Sequence, residues 1–90
     1  MASVTVLLPA SLIVLFPGAE RRFQVQAADV SGALDVLHER WPGMRDRLVD
    51  GRPAVRQHIK LYVNDAPADL ATTLADGDEL LVVPAISGGM

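Results

Sequence analysis

The two most apolar strand-like runs of this chain lie at its opposite ends. Val4-Thr5-Val6-Leu7-Leu8 stands near the start, and Glu79-Leu80-Leu81-Val82-Val83 stands near the close. Both are rich in Val and Leu, and each is stopped by a proline, Pro9 and Pro84. Runs this apolar belong in the middle of a sheet rather than at its edge. The ends of the chain must therefore meet, side by side in the sheet centre, where parallel pairing is open to them.

The intervening segments fill in the rest. Arg21 to Gln26 alternates, with Phe23 and Val25 on one face and Arg22, Gln24 and Gln26 on the other, as a half-buried strand does. Asp29 is placed to cap a helix in which Val30, Ala33, Leu34, Leu37 and Trp41 recur at helical spacing. Pro42-Gly43 ends that helix, and Met44 to Val49 forms one further turn with Met44, Leu48 and Val49 inward. Asp50 to Arg56 reads as a loop. His58 to Asn64 alternates, with Ile59, Leu61 and Val63 on one face, and Asn64-Asp65 makes a turn. Leu70 to Leu74 suggests a short helical turn, and Asp76-Gly77-Asp78 a tight one before the last strand. Ser11 to Phe16 stays open between a buried strand and an apolar loop, because periodicity does not separate them. Strand, strand, helix, strand, connection, strand gives an α+β fold. The arrangement is a ubiquitin-like β-grasp: a mixed four- to five-stranded sheet packed on one main helix, with a flexible C-terminal tail. The domain spans 1–84 and the tail 85–90.

Composition excludes several functions. The chain contains no cysteine, which removes thiol nucleophiles, disulfides and thiolate metal sites, and fits a reducing cytoplasm. A net charge of −3 argues against nucleic acid as the main partner and suits, weakly, a basic surface on another protein. The apolar run from Val6 to Phe16 is broken by Pro9 and Ser11, is too short to span a membrane, and follows no basic region of a signal peptide.

The last residues are Ser87-Gly88-Gly89-Met90. Two residues without side chains make a strand thin enough for a narrow channel and allow close backbone approach. On such a reading the Gly89 carboxylate is the reactive group, and Met90 must first be removed. The alternative is a frayed terminus that happens to hold two glycines.

Four segments in this order resemble the MoaD/ThiS family of sulfur carriers: Val4-Thr5-Val6, Leu61-Tyr62-Val63-Asn64-Asp65, Leu74-Ala75-Asp76-Gly77-Asp78-Glu79-Leu80, and Pro84-Ala85-Ile86-Ser87-Gly88-Gly89. The segment Arg47-Leu48-Val49-Asp50 is similar to one in the cysteine-biosynthesis subgroup and in archaeal MoaD-like proteins. The resemblance implies a substrate rather than an enzyme. An E1-like adenylyltransferase would activate Gly89 with ATP, a sulfur donor would convert it to a thiocarboxylate, and an acceptor enzyme of cysteine, molybdopterin, thiamin or a related pathway would take the sulfur. Ala85, Ile86, Ser87 and Gly88 would form the inserted tail, no cofactor or metal would be bound, and a JAMM-type metalloprotease would remove Met90. A ubiquitin-like modifier joined through Gly89 to lysines is the alternative, and a binding module that ignores the tail is a third.

Strand parity adds a docking surface. It puts Val4, Val6, Leu8, Leu80 and Val82 inward and leaves Leu7, Tyr62, Leu81 and Val83 as an outer apolar patch beside the tail, unless Ser11 to Phe16 covers them. His38 and His58 are isolated, and His38-Glu39-Arg40 reads as a solvated helix end. Asp76 and Asp78 read as turn formers in a loop too short for calcium. Ser87 has no base near it in sequence. Arg21-Arg22 and the pair Arg45 and Arg47 read as scattered surface cations.

Overall fold

The computed structural model describes residues 1–84. Its elements in chain order are β1 (Ala2–Leu7), α1 (Ala10–Leu15), β2 (Arg22–Ala27), α2 (Val30–Arg40), α3 (Met44–Leu48), β3 (Ile59–Val63), β4 (Ala66–Ala68) and β5 (Glu79–Pro84). The five strands form one mixed sheet in the order β2-β1-β5-β3-β4. As the apolar runs require, β1 and β5 lie together in the centre, and they pair in parallel from Thr5–Glu79 to Leu7–Leu81. β2 flanks β1 antiparallel, and β3 flanks β5 antiparallel.

Period-two alternation in the strands and period-3.6 spacing in α2 deliver their apolar residues to one layer. Val4, Val6, Val25, Leu80 and Val82 of the sheet meet Val30, Ala33, Leu34 and Leu37 of α2, all essentially removed from solvent. Each of the Val and Leu side chains contributes about 1.5–3 kcal/mol of burial. Asp29 caps α2 as its type predicts, accepting a hydrogen bond from the Gly32 amide at 2.7 Å. α3 turns Met44 and Leu48 into the same core.

Two segments depart from expectation. Ser11 to Phe16, open between strand and loop, lies largely in a short helix, α1. Pro9 fits its start, where an amide donor is not needed. Leu12 enters the core, while Ile13 and Phe16 pack against it. Leu70 to Leu74 holds no helical turn. Thr72 instead donates its amide to the Asp69 carbonyl in a tight turn, and Thr73 bridges back to Asp29. The Asp69 carboxylate, accepting from the Ala71 amide at 2.9 Å, competes with helical bonding there. The three-residue strand β4 follows the Asn64-Asp65 turn, whose two residues both have positive φ, 50° and 71°. That is the conformation of a two-residue hairpin, which Asn and Asp adopt readily.

Candidate docking face and tail exit

Strand register composes the outer face of the sheet. One row crosses all five strands: Arg22 opposite Leu7, Leu7 opposite Leu81, Leu81 opposite Tyr62, Tyr62 opposite Pro67. A second row joins Val83 to Lys60. Leu7, Tyr62, Leu81 and Val83 are all half-buried, while their strand neighbours Val6, Leu61, Val63, Leu80 and Val82 are buried. The parity reading therefore holds at each of the four, and the register makes three of them consecutive. α1 directs Leu12 to the core on the other side of the sheet and leaves Val14 78% and Leu15 49% exposed. Its inward contacts are made with the core, and its outer residues add apolar surface at the end of β1.

β5 ends at Pro84, which pairs with Ile59 at the start of β3. The chain beyond therefore leaves from the end of a central strand paired with β1 through Leu81 and with β3 as far as Pro84. The sequence-predicted tail, Ala85, Ile86, Ser87, Gly88 and Gly89, and the residue to be removed, Met90, lie outside the described residues, as does the expected flexibility of that tail.

The pole opposite this exit is built by the two turn motifs. The Asn64 side chain donates to the Asp78 carboxylate at 2.8 Å and accepts from the Glu79 amide at 2.9 Å, while the Asn64 amide donates to the Glu79 carbonyl. Asp78 also accepts from the Ala75 amide at 2.8 Å. These bonds, the Ala75 amide first and Asn64 second, hold its carboxyl below the usual carboxylate range. Asp76 accepts from the Ser3 amide at 2.7 Å, and Gly77, at φ +89°, donates its amide to the Ser3 carbonyl. Asp76 and Asp78 thus act as turn formers that fasten the entry of β5 to the start of β1.

The cations are less scattered than the sequence suggests. Arg45 reaches back to α2, donating to the Ser31 carbonyl at 3.0 Å and pairing with Asp35 at 3.3 Å. Arg40 is more than a solvated helix end. It donates to the Gln24 carbonyl at 3.0 Å and lies 5.3 Å from the Phe23 ring centroid, and Trp41 meets the same ring edge-on at 5.0 Å. The spacing along the chain carries no signal for either contact, since both partners come from another element. Asp50 accepts from the Arg52 side chain at 2.8 Å and from the Arg52 and Ala54 amides. The Arg52 side-chain bond foremost lowers its pKa to about 2. Among the described residues no three of His, Asp and Glu gather to hold a metal ion, and no helix is long and apolar enough to cross a membrane.

A mixed sheet wrapped on one helix, with an apolar outer row beside a strand that leads into a diglycine segment, defines the class of ubiquitin-like β-grasp carriers. The chain belongs to the ThiS family, whose model it matches over residues 6–89, and so to the sulfur carrier proteins. It is 34% identical to the molybdopterin synthase sulfur carrier subunit of Mycobacterium tuberculosis over 61 residues, 68% of this chain and 64% of that one. The alignment thus spans just under two thirds of that relative. It is 28% identical to the sulfur carrier protein CysO of the same organism over 93 residues, 97% of this chain and 99% of that one. Among solved structures, a chain of the Amycolatopsis orientalis BexX/CysO complex is similar at a TM-score of 0.85 and 32% identity, covering 96% of this chain and 99% of that one. SAMP1 of Haloferax volcanii, a small archaeal modifier protein, is similar at a TM-score of 0.80 and 31% identity, covering 98% and 100%.

Proposed function

We propose that this sulfur carrier works through the carboxylate of Gly89, freed by hydrolysis of the Gly89–Met90 bond by a JAMM-type metalloprotease. An E1-like adenylyltransferase brings that carboxylate to the α-phosphorus of ATP, and pyrophosphate leaves. The product is a mixed anhydride, a far better electrophile than a carboxylate. A sulfide-equivalent donor then attacks the carbonyl carbon, AMP leaves with the electron pair of the broken C–O bond, and a C-terminal thiocarboxylate results. The chain needs no thiol for this, because the sulfur resides on the terminal carbonyl, and it supplies no catalytic side chain of its own. We assign the reaction to the cytoplasm, where ATP is at hand.

The observation that carries the reading is the family match, which runs through Gly88-Gly89 to residue 89. The register supports it: Leu81 and Val83 lie on the strand that leads into the tail and Leu7 and Tyr62 beside it, a half-exposed apolar patch of the kind that marks protein interfaces. We assign that patch to docking of the activating and acceptor enzymes, with Ala85, Ile86, Ser87 and Gly88 as the segment inserted into the active site.

Intact-mass analysis tests the reading. The form ending at Gly89 is incubated with ATP, the adenylyltransferase and a sulfide source. A mass gain equal to replacing one oxygen by one sulfur is expected, and no gain in the presence of all three would sink the carrier chemistry. The likeness to a small archaeal modifier protein favours one second reading, in which the activated Gly89 is transferred to lysine amines. Adducts on other proteins, with a glycyl-isopeptide bond to lysine, are its signature.

A further inference from the structure

Residues 45–60 hold five of the eight Arg and Lys side chains, Arg45, Arg47, Arg52, Arg56 and Lys60, and two of the eleven Asp and Glu, Asp46 and Asp50. Arg45 is paired with Asp35 and Arg52 with Asp50. Among the described residues Arg47, Arg56 and Lys60 have no ion-pair partner. Arg47 and Arg56 line one shallow depression with Asp46 and His58. The Ile59 amide donates to the Arg56 carbonyl, and Lys60 pairs with Val83 next to the final Ile59–Pro84 pair. Arg56 and Lys60 therefore flank the point where β5 ends, and Arg47 joins them through the depression it shares with Arg56. The other end of β3 and β5 carries the reverse sign, with Asp65, Asp76 and Asp78 in its turns.

Any active site that takes up Gly89 must approach this rim. Five residue steps separate Pro84 from Gly89, a reach of at most about 18 Å when extended. A macromolecule engaged at that distance has surface against the rim or within about one Debye length of it, ~8 Å at physiological salt. Three cations without ion-pair partners among the described residues, of which Arg56 donates only to the Asp46 carbonyl at 2.8 Å, are costly to bring against a neutral or basic surface and favourable against an acidic one. We infer that the protein receiving the tail bears an acidic rim around its channel, which Arg47, Arg56 and Lys60 meet and which turns the chain tail-first on encounter. The inference rests on the carrier reading and names the chemistry of its partner. A nucleic acid would want the same cations, but the overall charge of −3 opposes it.

The test is the association rate of the full chain with the E1-like adenylyltransferase of the same organism, followed by stopped flow at low and high salt. The variant Arg47→Ala/Lys60→Ala removes two positive charges whose side chains make no hydrogen bond among the described residues. Gln26→Glu/Ala66→Glu changes net charge by the same amount at the opposite pole, on exposed positions. The rim variant is expected to associate about 5–10-fold more slowly at low salt, with the difference closing at high salt and the matched control within about 2-fold of the parent. Equal slowing by both variants, no slowing by either, or a faster rim variant overturns the inference. So does a rim-dependent complex with a single-stranded oligonucleotide at physiological salt. Parallel ATP–pyrophosphate exchange on the parent chain ending at Gly89 separates the two readings. Exchange with an unchanged rim variant leaves the carrier reading standing and removes the acidic partner, whereas no exchange removes both.

Discussion

The two poles of the sheet are built on opposite terms. At one pole Asn64, Asp76, Gly77 and Asp78 spend their polar groups on one another and on Ser3, so the turn chemistry is satisfied internally. At the other, Val14 and Leu15 face solvent, Arg47, Arg56 and Lys60 lack ion-pair partners among the described residues, and Leu7, Tyr62, Leu81 and Val83 are only half-covered. The motifs that most clearly mark the family, around Asn64-Asp65 and Asp76-Gly77-Asp78, sit at the closed pole and hold the fold. The open pole is where unmet interactions remain, and on the proposed reading partners satisfy those.

This contrast can be broken by experiment. The largest effect belongs to the diglycine. Gly89→Ala, or deletion of Gly88 and Gly89, is expected to abolish sulfur loading in the intact-mass assay and to leave the melting temperature unchanged. A drop in melting temperature would show that these residues belong to the fold. Leu80→Ala empties a fully buried site in the central strand and is expected to cost about 3 kcal/mol in urea denaturation. On the same strand, Leu81→Asp is expected to weaken binding to the adenylyltransferase by about 10- to 100-fold with little change in stability, as loss of an interface anchor does. If Leu80 and Leu81 behaved alike, the outer row would be core rather than interface. Gly77→Ala probes the closed pole. Nothing lies within 4 Å of the added Cβ, so only the positive φ resists it, at about 1 kcal/mol, with partner binding unaltered.

The smallest effect is acid titration. The folded pKa of Asp78 is depressed, so its contribution is present above the ordinary carboxylate pKa and declines as pH falls through the lowered value. The same holds for Asp50 between the ordinary value of 3.8 and about 2. Urea midpoints of Asp78→Asn and the parent are therefore expected to converge as pH falls through this window. Midpoints that stay equally separated would remove the carboxylate from the account.

How much was legible in the sequence follows the same division. Alternation and helical spacing are local, so β1, β2, α2, β3 and β5 could be read, along with the inward and outward assignment of Leu7, Tyr62, Leu81 and Val83. α1 could not, because six residues rich in Leu, Ile and Val lack a period long enough to distinguish helix from strand. The turn at Asp69–Thr72 was missed because its side-chain bonds outcompete a helical pattern that the apolar residues alone suggest. The cationic rim was invisible for a different reason. Arg47, Arg56 and Lys60 are spread over fourteen positions and are gathered only by α3 packing and by the register of β3 on β5.

The placement of β5 has a mechanical consequence. On the proposed reading, a partner that draws the tail into its channel pulls along the axis of a strand paired with β1 over Glu79–Leu81 and with β3 as far as Pro84. With the outer row held against the partner, such a pull loads both ladders in shear, so many hydrogen bonds resist together rather than opening one after another. An edge strand such as β2 or β4, bonded on one side only, could be peeled away. Leading the tail from the centre of the sheet lets the end of the chain be gripped and released repeatedly while the domain behind it stays folded.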